Sequence, residues 1–176
     1  QIRQFMTWES LGAEVWVAQA DAGDATQVLH LPGSIDAKLH GVLYAAGISG
    51  DAFFTSVHEI TRAACEAHFR SKAHGLYVLE TALADRTLDF CLLFSSISSV
   101  LGGLGFAGYA AANNFIDLFT HQHNRHHSQW WTAVNWDTWR TRADLHDGMG
   151  ATVAIYDMPP AAALEALERI IASQFL

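Results

Sequence analysis

Apolar and polar positions fall into alternating blocks along this chain. Residues 13–20 (AEVWVAQA) form a short apolar run, which predicts a buried strand. Residues 41–45 (GVLYA) predict a second strand that ends at Ala46-Gly47. From Thr55 to Ala84 apolar residues recur at helical spacing, with Ile60, Ala64, Phe69 and Leu76 near one face. Residues 88–94 (LDFCLLF) predict a third strand, running into a Ser/Gly-rich loop over 95–108. A helix is expected over 109–123, a fourth strand over 131–136, an irregular Gly-containing stretch over 141–158 and a last helix over 161–173. Strands alternating with helices predict an α/β fold. Its core would be a Rossmann-like, doubly wound parallel sheet covered on both faces, three αβα layers joined by right-handed crossovers. Ligands of such sheets bind beyond the carboxyl ends of the strands. Ala45-Ala46-Gly47, Ser95-Ser96 and Asn135-Trp136-Asp137 all fall there, so three strand ends converge on one candidate cleft.

Composition narrows the classes of function. The 176 residues make one domain or a large piece of one. Lys and Arg number 10 against 18 Asp and Glu, a formal charge of −8, which excludes the clustered basic face of a nucleic-acid binder. A hydrophobic content of 51% supports a core and excludes disorder. Charged residues are only 16%, against roughly 25% in an average soluble protein, so part of this surface is expected to be covered. Two cysteines, Cys65 and Cys91, make neither a disulfide framework nor a zinc site, which points to a reducing, cytoplasmic setting. No apolar run approaches ~18 residues and no signal peptide opens the chain, so no membrane association is expected. The chain opens on Gln1, which suggests an excised piece.

Two motifs need weighing. Gly103-x-Gly105-x-x-Gly108 matches the dinucleotide fingerprint, after a strand and before a helix. The fingerprint also wants an acidic residue about 20 positions on, and no carboxylate lies between Asp117 and Asp137. The match is therefore set aside. His121, His123, His126 and His127 crowd the end of a helix, where cationic side chains suit the dipole; they read as a solvated helix end rather than a metal site.

The chemistry centres on Tyr109. Ser96 lies thirteen residues before it, and Asn113 four after it on the same helical face. Lys72, one of only two lysines beside Lys38, precedes Ser96 by 24 residues. Several stretches, in order, resemble the ketoreductase domain of modular polyketide synthases, within the short-chain dehydrogenase/reductase superfamily. Residues 20–24 (ADAGD) resemble its acidic turn after the third strand, and 41–47 (GVLYAAG) its GVxHAAG segment. Residues 71–75 (SKAHG) resemble its lysine segment, and 94–113 (FSSISSVLGGLGFAGYAAAN) its serine–tyrosine–asparagine signature. Residues 134–139 (VNWDTW) resemble the segment after the sixth strand. Asn113 stands where a classical superfamily member carries lysine, and the lysine comes from an earlier helix instead, as in this ketoreductase class.

The residue types suit ketone reduction, which adds hydride to carbon and a proton to oxygen. Tyr109 would supply the proton as general acid. A free phenol ionises near pH ~10, and the ammonium of Lys72 would lower that value by stabilising phenolate. Ser96 would donate a hydrogen bond to the developing alkoxide, and Asn113 would position Lys72 and an ordered water. The resemblance implies NADPH as hydride source, with Asp21 and Ala22 beside the adenine, Ala45, Ala46 and Gly47 against the cofactor backbone, and Lys72, Tyr109 and Trp136 around the nicotinamide end. Asp21 also suits a helix N-cap. The resemblance further implies a β-ketoacyl thioester carried on the phosphopantetheine arm of an acyl carrier protein. Stereocontrol would fall to Asp51, Leu101 and Phe106. Retention of Asp51 after Ala45-Ala46-Gly47, and Leu101 where the opposite class has Trp, lean to a D-hydroxy (B-type) product. Residues 141–158 resemble a substrate lid.

The resemblance begins at the third strand of the family fold. Residues 1–176 then form the C-terminal, catalytic part of one ketoreductase domain, lacking the N-terminal βαβ strands. With the strand order 3-2-1-4-5-6, that leaves a gap of roughly 10 Å at ~4.8 Å per strand. The missing N-terminal half and the neighbouring synthase domains are expected partners. Two other readings are an inactive segment that only scaffolds a synthase module, and a free-standing dehydrogenase on a small alcohol. The lysine–serine–tyrosine–asparagine set argues against the first and Asn113 against the second.

Overall fold

The structure is a computed structural model that describes residues 2–31, 38–48, 55–140 and 157–173. Three strands form a parallel sheet in the order β1 (Gly41–Tyr44), β2 (Phe90–Ser96), β3 (Thr132–Trp136). Val42 pairs with Cys91 and Tyr44 with Leu93, while Phe94 pairs with Val134 and Ser96 with Trp136. Short helices α1 (Ile2–Ser10) and α2 (Ala25–Val28) come before β1. The β1–β2 crossover is one long helical run: α3 (Arg62–Phe69), a wider π-helical turn (Arg70–His74) and α4 (Gly75–Leu83). The β2–β3 crossover holds α5 (Ser98–Leu101) and the 20-residue α6 (Ala107–His126), and α7 (Pro160–Ser173) closes the described chain.

The core lies between the sheet and the two crossover helices. Leu76, Leu79 and Leu83 of α4 and Ile116 and Phe119 of α6 meet Cys91 and Leu93 of β2. Val42 and Tyr44 pack against the same cluster, as the alternation of a strand requires. The next side chain over, Leu43, points to the other face and is 49% exposed. Local signals set the boundaries. The Thr61 hydroxyl accepts from the Ala64 amide and caps α3. Pro160 opens α7, where a missing N–H costs nothing. Cys65 and Cys91 are both free thiols.

Three expectations need correction, and one element was not foreseen. Residues 13–20 form no strand: β1, β2 and β3 pair only with one another, and Trp16 and Val17 lie 73% and 70% exposed. An apolar run that finds no neighbouring strand cannot satisfy its backbone as a ladder. Residues 2–10, for which the pattern predicts no element, form α1. The residue that caps α2 is Asp24, whose side chain accepts from the Thr26 amide, and not Asp21. The histidine-rich end of α6 is only partly solvated. His123 is buried, held between Glu80 at 2.6 Å and the Gln129 carbonyl at 3.2 Å, and stacked on Trp131 and His127.

Gly75 sits where the π turn hands over to α4, and its amide reaches the Arg70 carbonyl five residues back. A Cβ there would collide with the Tyr44 hydroxyl, which donates to the Ser71 carbonyl at 2.5 Å, and would lie 3.2 Å from the Ala22 carbonyl oxygen. Tyr44 is itself half-buried, so its ring has little room to yield. Gly75→Ala is expected to lower stability by about 1–3 kcal/mol, read as a shift in urea midpoint at unchanged slope.

Candidate active site

The π turn decides where Lys72 goes. A π bond takes in one more residue than an α turn, and the wider turn carries Lys72 into the interior, where it is 5% exposed. Its ammonium donates to the Phe94 carbonyl on β2 at 3.2 Å and lies 5.6 Å from the centre of the Tyr109 ring. Burial pulls the Lys72 pKa down to about 8, a shift that the charge of Asp117 partly opposes. A Cβ on Gly47 would sit 3.6 Å from Lys72 Cε and 3.9 Å from its nitrogen. The lysine, the tyrosine and the Ala-Ala-Gly turn after β1 therefore meet at the carboxyl ends of β1 and β2.

Tyr109 lies on the first turn of α6, half-buried, with the edge of its ring packed on His68 and Phe106, both at 5.7 Å. His68 is 1% exposed, and Gly108 lets it approach, since a Cβ there would lie 3.3 Å from the His68 ring. Asn113, fully buried one turn on, donates its amide to the Tyr109 carbonyl at 2.9 Å. Its side-chain oxygen is enclosed and has no protein donor. Ser96 ends β2, and its hydroxyl accepts from the Ser98 amide at 3.2 Å and hydroxyl at 3.0 Å. Ser95 takes the helix side instead: it donates to the Asn113 carbonyl at 3.2 Å and ties β2 to α6.

The other expected positions lie as follows. Asp21 is exposed, accepts from Arg70 Nε at 2.7 Å and the Gly23 amide at 2.9 Å, and is thereby held below the usual carboxylate range. Ala22 is half-buried beside it, its carbonyl facing Gly75. Ala45 is exposed and Ala46 half-buried. Trp136 is buried among aromatics, 5.6 Å from Phe94 and 5.1 Å from Trp139. Leu101 is 77% exposed at the end of α5, and Phe106 leans on Tyr109. Asp51 and residues 141–156 of the lid lie outside the described residues. A cavity of about 750 Å³ opens at the other end of the sheet, beside Leu88, Asp89 and Trp131 before β2 and β3. It is remote from Lys72 and Tyr109.

Sequence reasoning missed Asp117. Asp117 accepts from Ser99 Oγ at 2.8 Å and Asn135 Nδ2 at 3.0 Å, and Asn135 also donates to Ser99 at 2.8 Å. This clasp joins α5, α6 and β3. One signal for it was available: Asp117 falls four residues after Asn113, on the helical face that carries Tyr109.

A parallel α/β sheet with a lysine beside a tyrosine at the carboxyl ends of its strands fits the short-chain dehydrogenase/reductase class that the sequence resembles. Comparison with known proteins narrows the class. The KR domain family matches residues 1–141, and the chain belongs to that family. Over 142 residues it is 35% identical to the polyketide synthase PksN of Bacillus subtilis, covering 74% of this chain and 2% of that protein. Over 146 residues it is 32% identical to the erythronolide synthase EryA2 of Saccharopolyspora erythraea, covering 83% of this chain and 4% of that one. An A-type ketoreductase structure from a modular polyketide synthase superposes with a TM-score of 0.87 at 28% identity, over 98% of this chain and 37% of that one. A ketoreductase domain from the bacillaene assembly line superposes with 0.82 at 28%, over 98% and 44%. The chain thus spans a few per cent of these synthases and less than half of the solved ketoreductases. Among the described residues no helix is long and apolar enough to cross a membrane.

Proposed function

We propose that this chain is the catalytic part of an NADPH-dependent ketoreductase. It would reduce a β-ketoacyl thioester on an acyl carrier protein to the β-hydroxyacyl thioester, in the cytoplasm, during polyketide assembly. One observation carries the reading: a buried ammonium beside a phenol ring, Lys72 and Tyr109, at 5.6 Å. The site fits a nicotinamide cofactor. Ala45, Ala46 and Gly47 leave room above Lys72 that a Cβ on Gly47 would fill, and the enclosed Asn113 oxygen needs a donor from water or ligand. Bound NADPH would supply the hydride. Asp21 and Ala22 would face its adenine end.

Tyr109 would hand its proton to the carbonyl oxygen, with Lys72 stabilising the phenolate left behind. Ser96 would turn its hydroxyl toward the alkoxide. Asn113 bonds the helix backbone at Tyr109, which fixes the start of α6, and would position Lys72 through an ordered water at its enclosed oxygen. Leu101, Phe106 and Asp51 would set the face of attack, and Leu101 in place of Trp supports the D-hydroxy (B-type) outcome. The 141–158 stretch would act as lid.

The test is NADPH oxidation by the intact ketoreductase domain with a β-ketoacyl thioester, followed by chiral analysis of the product. Turnover with NADPH and a D-hydroxy product is expected. A sound fold with no turnover would favour the scaffold reading, which no observation on the site supports.

A further inference from the structure

We infer that Glu80, His123 and His127 form a binding site for a divalent first-row transition cation such as zinc, which clamps α4 to the end of α6. The site owes nothing to the ketoreductase reading and lies at the opposite end of the sheet from Lys72 and Tyr109. From sequence the four histidines read as a solvated helix end, and the burial of His123 removes the ground for that reading.

His123 and His127 stand four apart, so the last turn of α6 and its C-cap present both on one side. Their rings stack at 4.3 Å with only 8° between the planes. Across from them on α4, one carboxylate oxygen meets both: Glu80 Oε1 is 2.6 Å from His123 Nδ1 and 3.6 Å from His127 Nε2. One ligand atom from each of the three residues lies within 4.8 Å of the other two. Two imidazoles and one carboxylate suit zinc and its neighbours, whereas calcium and magnesium take oxygen ligands. Zinc bonds of about 2.0–2.2 Å hold neighbouring ligand atoms roughly 3.3 Å apart in a tetrahedron. His127 is already near that spacing from Glu80. The 2.6 Å contact is a hydrogen bond with a proton between His123 and Glu80. The cation takes the place of that proton, which passes to solvent. Glu80 is partly exposed and has room to retreat by the roughly 0.7 Å that the tetrahedral spacing asks.

The other nitrogen of His123 makes its ring the anchor. Nε2 donates to the Gln129 carbonyl at 3.2 Å, which leaves the Nδ1 lone pair for the cation. Trp131 stacks on the ring at 4.2 Å and holds its plane. The 750 Å³ cavity is lined by all three ligands, which gives the cation a way in and water a place as fourth ligand. Among the described residues Glu80 pairs with no lysine or arginine, so no permanent cation takes this role. Of the other charged groups on the cavity, Asp89 is held by Lys38 and His40, and Asp85 and Arg86 carry opposite signs.

The experiment uses the intact ketoreductase domain, prepared without a polyhistidine tag, stripped with a chelator and titrated with zinc chloride. Calorimetry reads affinity, thermal melts read stability, and cobalt in place of zinc gives the visible bands of a four-coordinate site. Zinc is expected to raise Tm, and magnesium is not. His127→Ala removes a half-exposed side chain and should melt as wild type without zinc. It is expected to weaken zinc binding by about tenfold or more, to lose the zinc-dependent rise in Tm and to lose the cobalt bands. Glu80→Gln keeps a hydrogen bond to His123 and should show the same losses. The double variant His121→Ala/His126→Ala, at two exposed positions of the same helix end, should bind zinc as wild type does. A wild type whose Tm ignores zinc overturns the inference. So does zinc binding that survives His127→Ala and vanishes in the double variant, which marks an adventitious surface-histidine site. Turnover is not among the readouts, so a domain that binds zinc here and reduces no ketone overturns the ketoreductase reading alone.

Discussion

Tyr109→Phe is expected to lower kcat for ketone reduction by roughly 10²- to 10⁴-fold, the range for losing a positioned general acid. The substitution takes away one oxygen and keeps the ring. The edge contacts with His68 and Phe106 at 5.7 Å belong to the ring and stay. The Asn113 amide bonds the backbone carbonyl of residue 109, so it stays too. Losing one hydroxyl should move stability by about 1 kcal/mol at most, read from the urea midpoint, while turnover collapses. A kcat within twofold of wild type would remove the proton-donor assignment from Tyr109.

Lys72→Met is expected to abolish turnover and to make the domain more stable at neutral pH. Burial lowers the lysine from 10.5 to about 8, a cost of about 3 kcal/mol at 1.36 kcal/mol per unit. The sign follows from proton counts. Below pH 8 both folded and unfolded chains hold the proton, so the full cost is present at pH 7. Between pH 8 and 10.5 the unfolded chain binds more protons at this position, and wild-type stability rises with pH. Methionine fills a similar volume without the charge. Its variant should exceed wild type by about 3 kcal/mol at pH 7 and lose that advantage toward pH 10. Urea unfolding at several pH values measures both, and a variant weaker than wild type at pH 7 would contradict the burial cost. Such a gain on loss of a functional group is the common trade between stability and activity.

How much of this was readable from the residues depends on the range of the interaction. The runs around Leu92 and Val134 and the helical face of Tyr109 and Asn113 follow from local periodicity, and the structure has strands and a helix there. The 13–20 run misled because a strand is a property of a pair, and among the described residues no strand lies beside it. Ser95 and Ser99 fall in the Ser/Gly-rich stretch 95–108, where no local pattern tells one serine from another. Which hydroxyl faces α6 depends on strand parity at the end of β2, and which meets Asp117 depends on how α5 folds back. His123 looked solvated because its burial comes from Glu80, 43 positions earlier, and from Trp131. The lysine's position in sequence was legible by resemblance. Its inward orientation was not, because nothing in Arg-Ser-Lys-Ala-His announces a five-residue backbone bond.

That wide turn also bears on how such a site is gained or lost. In a uniform α-helix, deleting one residue rotates everything beyond it by about 100° and turns the packed side outward. Here the surplus residue is already accommodated between α3 and α4. Excising one codon within Arg70–His74 would restore ordinary four-residue bonding and leave Phe69 and Leu76 facing their present neighbours. The Lys72 ammonium would be swung away together with its neighbours in the turn, buried Ala73 among them. A lineage could thus switch the proposed chemistry off in one small genetic step while keeping most of the scaffold.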